Sequence, residues 1–187
     1  MFDPHVIIQA YSQGYFPMAH PDEGNEIFWH LPQERGIIPL DHRFKVSKNL
    51  SRLYKQGKFE LKQNADFEGV IRNCAAREET WISDEIIDAY CELNLMGIGH
   101  SFEAWYEGKL VGGLYGLALG KAFFGESMFH IMTDASKIAL LYLVECLREK
   151  EFILLDSQYL NDHLLQFGAY EIDHEEYLDI LHQALAH

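Results

Sequence analysis

The chain has 187 residues, of which 48% are hydrophobic and 24% charged, as in an ordinary soluble globular domain. This balance excludes a disordered chain or a fibrous repeat, and no window approaches the roughly 18 apolar residues that a membrane span needs. The formal net charge of −14 argues against a general nucleic-acid binder, because neutralising phosphates needs clustered Lys and Arg. The N terminus lacks a secretory-signal pattern and the three cysteines are not closely paired, so we expect a cytoplasmic protein with reduced thiols.

The charges are unevenly distributed along the chain. Residues 41–62 contain seven basic and two acidic side chains, a local net charge of +5, whereas residues 151–187 contain eight acids and no Lys or Arg. The basic segment can meet a polyanion, or it can be the solvated face of a helix. The acidic segment can attract a cation. Both interpretations of the basic segment stay open at this point.

Cap residues and apolar spacing predict the elements of the first half of the chain. A short helix is expected near 4–13, followed by irregular, packed connections through residue 40, since this stretch is rich in aromatics, Gly and Pro. The elements expected next are a helix over Lys48–Gln56 capped by Ser47, a strand over 58–63, a helix over 66–76 capped by Asp66, and a helix over 83–96 capped by Ser83 that ends at Gly97.

The second half of the chain predicts a group of strands followed by helices around one buried strand. The expected elements are an antiparallel meander over 100–107, 109–120 and 121–129, an amphipathic helix over Ala135–Glu149 capped by Asp134 or Ser136, a strand over 152–156, and a short helix near 160–167. This order of elements indicates an α+β fold with a central mixed sheet.

Two stretches carry more polar detail than folding requires. Glu126 ends an otherwise apolar strand, where a buried carboxylate is costly unless it meets a cation or a donor; it can also cap a helix or lie on the rim. Asp156 and Gln158 follow an apolar strand at spacing i, i+2, so both side chains can point to one face. Asp156 can then orient Gln158, whose amide oxygen accepts an amine, or the pair can be a turn former and a surface residue.

Aromatic side chains are numerous in the first 90 residues and can stack on a nucleobase, although most aromatics belong to a core. The candidates are Tyr11, Tyr15, Phe16, Trp29, Trp81 and Tyr90. The ten histidines and three cysteines show no metal-ligand spacing, so we expect no metal site. The sequence also lacks a nucleophile elbow, a phosphate-binding loop and a dinucleotide-binding glycine pattern.

Several of these stretches resemble, in the same order, the leucyl/phenylalanyl-tRNA–protein transferase family. The runs FFGESMF (123–129) and DASKIALLYL (134–143), followed by the D-x-Q in LLDSQYLNDHLLQFGAYEI (154–172), carry the resemblance most specifically. The other matching runs are AYSQGYFPM (10–18), FWHLPQERGIIPL (28–40), ETWIS (79–83), HSFEAW (100–105) and LVGGLYGLALG (110–120). The resemblance therefore extends over nearly the whole chain.

The resemblance implies a GNAT-like (N-acetyltransferase-type) domain over 36–187, preceded by a truncated N-terminal segment over 1–35. We expect a monomeric enzyme without a cofactor that transfers Leu or Phe, and weakly Met, from aminoacyl-tRNA to the α-amino group of proteins with N-terminal Arg or Lys. The product is expected to be marked for N-degron degradation. Because the ester donor is already activated, the reaction needs alignment, removal of a proton from the amine and oxyanion stabilisation.

The family pattern also implies roles for individual residues. Asp156 and Gln158 match a catalytic D-x-Q pair, in which Asp156 is expected to orient and polarise Gln158. Glu126 matches a position that can complement the positive charge of the acceptor. Ser157 stands where many relatives have Cys, which argues against a thiol nucleophile. The apolar pocket for the donated side chain is assigned to Leu114, Phe123, Leu140, Leu143 and Leu155, the adenosine contacts to Tyr11, Trp81 and Tyr90, and the tRNA contacts of the basic segment to Arg43, Lys45, Lys48 and Arg52.

Two other functions stay open. An acyl-CoA-dependent N-acyltransferase on the same fold should show a glycine-rich pyrophosphate loop before a helix, and MTDASK (132–137) contains no glycine. A non-catalytic module that recognises basic N-termini would bind an Arg-starting peptide but would tolerate the loss of Asp156 and Gln158. The two alternatives therefore differ from the transferase in their donor and in their dependence on the D-x-Q pair.

Overall fold

The computed structural model describes residues 3–19, 26–76 and 82–187. Trp81, a predicted adenosine contact, lies outside these described residues. The helices are α1 (Pro4–Ser12), α2 (Lys48–Gln56), α3 (Phe67–Ala75), α4 (Asp84–Leu95), α5 (Ala135–Glu149), α6 (Asp162–Leu165) and α7 (His174–Leu185). The strands are β1 (Phe16–Ala19), β2 (Ile27–His30), β3 (Glu34–Ile37), β4 (Glu60–Gln63), β5 (Gly99–Tyr106), β6 (Lys109–Leu119), β7 (Ala122–His130), β8 (Leu154–Gln158) and β9 (Tyr170–Asp173). None of the described helices has the length and apolar character that a membrane crossing requires.

The helix starts follow the predicted caps. Ser47, Asp66 and Ser83 stand at the N-cap positions of α2, α3 and α4, and each side chain accepts a hydrogen bond from the backbone N–H three residues on. α2 ends at Gly57, whose φ of 68° lies in the left-handed region that a C-terminal cap favours. Asp134 occupies the N-cap position of α5, but within the described residues its side chain makes no capping hydrogen bond.

Seven strands form one mixed sheet in the order β4-β5-β6-β7-β8-β3-β9. Neighbouring strands are antiparallel except β7 and β8, which run parallel. β5, β6 and β7 form the predicted meander, and α5 is the connection that carries the chain from β7 to its parallel neighbour β8. The predicted α+β fold with a central mixed sheet and flanking helices is confirmed.

The two ends of the chain hold more regular structure than the sequence predicts. The connections expected before residue 40 contain a hairpin of β1 and β2, and also β3, which lies in the main sheet between β8 and β9. β9 and α7, after Gly168, are not among the predicted elements. A strand of four residues is too short to show a clear period, and the partners of β3 are distant in the sequence, so no local pattern reveals it.

Apolar side chains pack on both faces of the sheet. Neighbouring residues of one strand, such as Leu154 and Leu155, belong to different buried clusters, as the alternation of a strand requires. One cluster contains buried residues of α1, α3, α4 and α7, and the other contains those of α2, α5 and α6. The sheet is therefore enclosed between two helical layers.

The parallel strands β7 and β8 separate part-way along their length. Their paired residues run from Ala122 with Leu154 to Phe124 with Asp156, whereas β7 continues along β6 as far as His130. At this point β7 also contains a bulge, because Gly125 pairs with Gly116 and Ser127 with Tyr115, which leaves Glu126 as the extra residue. Beyond Phe124 and Asp156 the two strands therefore frame a cleft, with Glu126 on its β7 side.

Candidate functional site

A cavity of about 220 Å³ lies where β7 and β8 separate. Its apolar wall includes Leu114, Leu140, Leu143 and Leu155, which are four of the five residues predicted to hold the donated side chain. Phe123, the fifth, is not among its lining residues; its ring packs on Phe102 in the buried cluster, with the ring centroids 5.9 Å apart. The polar part of the lining is formed by Glu126, Ser127, Asp156, Ser157, Asn161 and His163.

Glu126 is a half-buried residue at the polar end of the cavity. Its Oε1 accepts hydrogen bonds from the hydroxyl of Tyr11 and, at 3.3 Å, from Nε2 of Gln158. Burial raises the pKa of Glu126 to about 7, an effect that the hydrogen bonds from Tyr11 and Gln158 reduce but do not cancel. Its Oε2 is also buried and has no hydrogen-bond partner in the part of the chain that the structure describes. Glu126 can therefore hold a cation or exchange a proton near neutral pH.

Tyr11 donates a hydrogen bond to Glu126 and contacts Tyr90, and neither ring is exposed to solvent. Both side chains are fully buried, and their hydroxyl groups lie 2.8 Å apart. Their rings pack edge-on against Phe124 and Tyr115. Neither ring has accessible surface in this structure, so neither offers a face for stacking, and the contact of Tyr11 and Tyr90 with the adenosine stays a prediction. Burial and the charge of Glu126 raise the pKa of both tyrosines, which keeps them as neutral donors.

Asp156 is fully buried and is held by a cation. Nε and Nη2 of Arg35, on β3, donate to its two oxygens at 3.0 and 2.9 Å. The hydroxyl of Tyr177, on α7, donates to Oδ2 at 2.6 Å. The sequence analysis missed both partners. The available signal was indirect: a carboxylate at the end of an apolar strand needs a buried cation, and Arg35 precedes the apolar run GIIPL.

Gln158 has an unusual backbone conformation that Asp156 stabilises. Its φ of 68° lies in the left-handed region, and its backbone N–H donates to Oδ1 of Asp156 at 2.7 Å. Opposite it, a Cβ atom on Gly36 would lie 2.7 Å from Ser157 Oγ, so β3 can approach this turn only with glycine. The contact by which Asp156 orients Gln158 is made through the Gln158 backbone, and the side-chain amide of Gln158 donates to Glu126.

The basic segment forms a separate surface on α2. Lys48 and Arg52 line a shallow concavity of about 530 Å³ together with Lys55, and all three side chains are exposed. Arg43 is also exposed, but it pairs with Asp41 at 3.0 Å. Lys45 is exposed and its backbone N–H donates to the carbonyl of Phe167. The structure thus groups two of the four predicted basic contacts and adds Lys55 to them.

No group of three or more His, Cys, Asp or Glu side chains that could hold a metal ion occurs among residues 3–19, 26–76 and 82–187. The two carboxyl groups that line the cavity, Glu126 and Asp156, accept hydrogen bonds from the Gln158 amide, the Tyr11 and Tyr177 hydroxyl groups and the Arg35 guanidinium. An arrangement of this kind can orient an amine, hold its charge and accept its proton.

Comparison of the sequence with protein families gives two matches, and both are to domains of one family. A profile described as leucyl/phenylalanyl-tRNA protein transferase matches residues 37–182, and the profile of the N-terminal domain of the same family matches residues 1–33. The chain belongs to this family. It is therefore a member of a family of aminoacyl-transferring enzymes, and the resemblance noted from its motifs is confirmed.

Curated relatives agree over nearly the full length. Leucyl/phenylalanyl-tRNA–protein transferases from Gloeobacter violaceus and from Akkermansia muciniphila are each 50% identical to the chain. The first match covers 98% of this chain and 94% of the relative, and the second covers 97% and 95%. A third, from Pelodictyon phaeoclathratiforme, is 50% identical over 96% of this chain and 93% of its own.

The solved structures that match this family member are distant in sequence. A GCN5-related N-acetyltransferase-like protein from Streptococcus suis is 15% identical, with a TM-score of 0.40, over 89% of this chain and 65% of that one. L-PGS from Bacillus licheniformis is 13% identical, with a TM-score of 0.43, over 84% of this chain and 51% of that one.

Proposed function

We propose that this transferase moves Leu or Phe, and weakly Met, from aminoacyl-tRNA to the α-amino group of proteins that begin with Arg or Lys, which marks them for N-degron degradation in the cytoplasm. The observation that carries the proposal is the cavity between β7 and β8. It joins an apolar wall to a polar end at Glu126, next to the buried Asp156, within one cleft. A donor ester with an apolar side chain and a cationic acceptor need these two environments side by side.

The apolar wall fits the donated side chain. Leu114, Leu140, Leu143 and Leu155 present aliphatic surface without a hydrogen-bonding requirement. At about 220 Å³ the cavity is smaller than the roughly 300–1,000 Å³ of drug-sized ligand pockets, so its size suits one amino-acid side chain. Such a pocket separates Leu, Phe and Met only weakly, because apolar groups of similar size differ by roughly 1–3 kcal/mol in binding.

The polar end fits the acceptor amine. In the reaction, the amine nitrogen bonds to the ester carbonyl carbon, the ester C–O bond breaks, and the proton released by the amine ends on the departing ribose oxygen. Glu126 is half-buried and lines the cavity, and its Oε2 atom has no hydrogen-bond partner in the described residues, so it can receive the ammonium or its proton. A group with a pKa of about 7 suits that transfer near neutral pH. The amide of Gln158 donates to the same carboxyl group and can orient it for this transfer.

The exposed basic face of α2 is the part of the surface proposed to contact the tRNA. Lys48, Arg52 and Lys55 share one concavity, and phosphate contacts of this kind position a nucleic acid without reading its sequence. The overall charge of −14 opposes general binding of nucleic acid. Recognition then depends on this local surface and on the cavity that receives the aminoacyl side chain carried by the 3′ end.

The test is a transfer assay with labelled Leu-tRNA and peptides that begin with Arg, Lys, Asp, Glu or Ala. We expect label on the Arg and Lys peptides, and a loss of about 100-fold or more in kcat/KM for Gln158→Ala. Gln183→Ala changes an exposed glutamine on α7 and is the matched control. Transfer to Asp or Glu peptides alone would overturn the acceptor assignment.

Two further outcomes would overturn the reaction itself. Acylation from acyl-CoA, without transfer from charged tRNA, would identify an N-acyltransferase. Binding of an Arg-starting peptide that is unchanged in Gln158→Ala, without any transfer, would identify a binding module.

A further inference from the structure

We infer that Arg35 and Tyr177 are positioning residues for the transfer reaction, and that they act through Asp156 on the backbone of Gln158. The inference rests on the proposed function, and it assigns Asp156 a fixed, structural charge in place of a part in proton transfer. The three elements involved, β3, β8 and α7, are far apart in the sequence and meet at this one carboxylate.

The hydrogen bonds of Asp156 leave it no role as a proton acceptor. It accepts four: two from Arg35, one from the Tyr177 hydroxyl and one from the backbone N–H of Gln158. A carboxylate has about four lone-pair sites, so these donors fill its capacity. The side chain is also 0% exposed, which leaves no approach for an amine.

Arg35 is itself fixed in place on every side. It is 1% exposed, its Nη1 donates to the carbonyl of Gly14 at 2.6 Å, and its guanidinium carbon lies 4.8 Å from the ring centre of Phe16 and 4.2 Å from that of Tyr177. Tyr177 therefore contacts both members of the ion pair, with its ring on Arg35 and its hydroxyl on Asp156. A planar guanidinium with two bonds to one carboxylate sets the orientation of that carboxylate as well as its charge.

The Arg35–Asp156 pair affects the reaction through the conformation of Gln158. An L-residue at φ 68° is held there against its intrinsic preference, and the bond from its N–H to Oδ1 of Asp156 is the contact that holds it. The same turn directs the Gln158 amide toward Glu126, 3.3 Å away at the polar end of the cavity. Rotation of the Asp156 carboxylate would therefore move the Gln158 amide relative to the reacting groups, without altering the apolar pocket.

Tyr177→Phe is the sharpest test, because it removes one hydroxyl and keeps the ring against Arg35. We expect kcat to fall by about 10- to 100-fold, with the KM values for charged tRNA and peptide within about twofold of wild type. The pH profile of kcat should keep its shape, since no titrating group of the reaction is removed. Arg35→Lys keeps the positive charge but cannot make the two parallel hydrogen bonds to Asp156, so it should lower kcat further. Tyr54→Phe is the matched control, because it removes a 2.5 Å hydrogen bond to Glu145 outside the cavity.

A substrate-free measurement completes the experiment. In NMR spectra of 15N-glutamine-labelled protein, the Gln158 backbone and side-chain amide signals should shift, and the backbone amide should exchange with solvent faster, in Tyr177→Phe and Arg35→Lys but not in Tyr54→Phe. Unchanged Gln158 signals together with an unchanged kcat would overturn the inference. If the wild-type chain transfers nothing from charged tRNA, the proposed function fails, and the Gln158 signals still decide whether Arg35 and Tyr177 position this residue.

Discussion

Replacement of Asp156 by Asn would leave the positive charge of Arg35 buried without its counter-ion. Asp156 and Arg35 are 0% and 1% exposed, so water cannot replace the lost carboxylate charge. Asn keeps the shape of the side chain, but in either orientation its NH₂ group would face an N–H of Arg35. The variant therefore loses an ion pair and gains an unfavourable contact between two donors.

The magnitude follows from the burial of the pair. Breaking a buried ion pair by removing one partner costs about 3–5 kcal/mol, because the remaining charge is desolvated and uncompensated. At about 2–4 °C per kcal/mol for a chain of this size, Tm should fall by about 10 °C. Urea unfolding followed by circular dichroism measures the free energy of unfolding directly, and thermal unfolding gives Tm.

A surface pair supplies the control for this prediction. Asp41 receives hydrogen bonds from Arg43 in a comparable geometry, with a 3.0 Å contact, but both side chains are about half exposed. Asp41→Asn should therefore leave Tm nearly unchanged, because exposed ion pairs contribute little to stability. Equal shifts in Tm for Asp156→Asn and Asp41→Asn would refute the reasoning, since burial would then make no difference to the energy of the pair.

Three further predictions concern Glu126, the cavity and α2. Burial raises the pKa of Glu126 to about 7 from 4.5, so the free energy of unfolding should fall by roughly 3 kcal/mol as pH rises through this range. Glu126→Gln should lack this pH dependence, and measurements of unfolding at pH 5 and pH 8 compare the wild type with the variant. Leu143→Phe fills part of the cavity and should lower kcat/KM for Phe-tRNA more than for Leu-tRNA; an equal loss with both donors would contradict the assigned pocket. The double variant Lys48→Ala/Arg52→Ala should raise the KM for tRNA and make that KM less dependent on salt, with the KM for the peptide unchanged. Lys109→Ala is the control.

Local sequence patterns predicted the parts of the molecule that depend on local interactions. The N-caps at Ser47, Asp66 and Ser83 and the central meander follow from short-range rules, and the structure contains them. Glu126 and Asp156, which the motifs also singled out, both line the cleft between β7 and β8. These features need little knowledge of contacts between distant segments.

The remaining features depend on contacts that no local pattern encodes. Arg35 and Tyr177 reach Asp156 from strands and helices distant in the sequence, so a position in a short strand or an amphipathic helix did not distinguish them. Tyr11 and Tyr90 were assigned to adenosine contacts, because aromatic residue type alone does not show burial; in the structure both are buried, and Tyr11 donates to Glu126. The hydrogen bond from the Gln158 backbone N–H to Asp156 could not be predicted, because it forms with Gln158 in a left-handed conformation that glutamine does not favour.

The two carboxyl groups at the cleft differ because their donors differ. Asp156 is paired with a guanidinium, so its charge is compensated inside the protein. Glu126 receives hydrogen bonds from the neutral donors Tyr11 and Gln158, and burial raises its pKa to about 7. Arg35 thus neutralises Asp156, which holds the backbone of Gln158. Glu126 has no such cation and is near its protonation midpoint at neutral pH. An arriving ammonium group would supply the missing positive charge at Glu126, so binding of the acceptor and ionisation of Glu126 should favour each other.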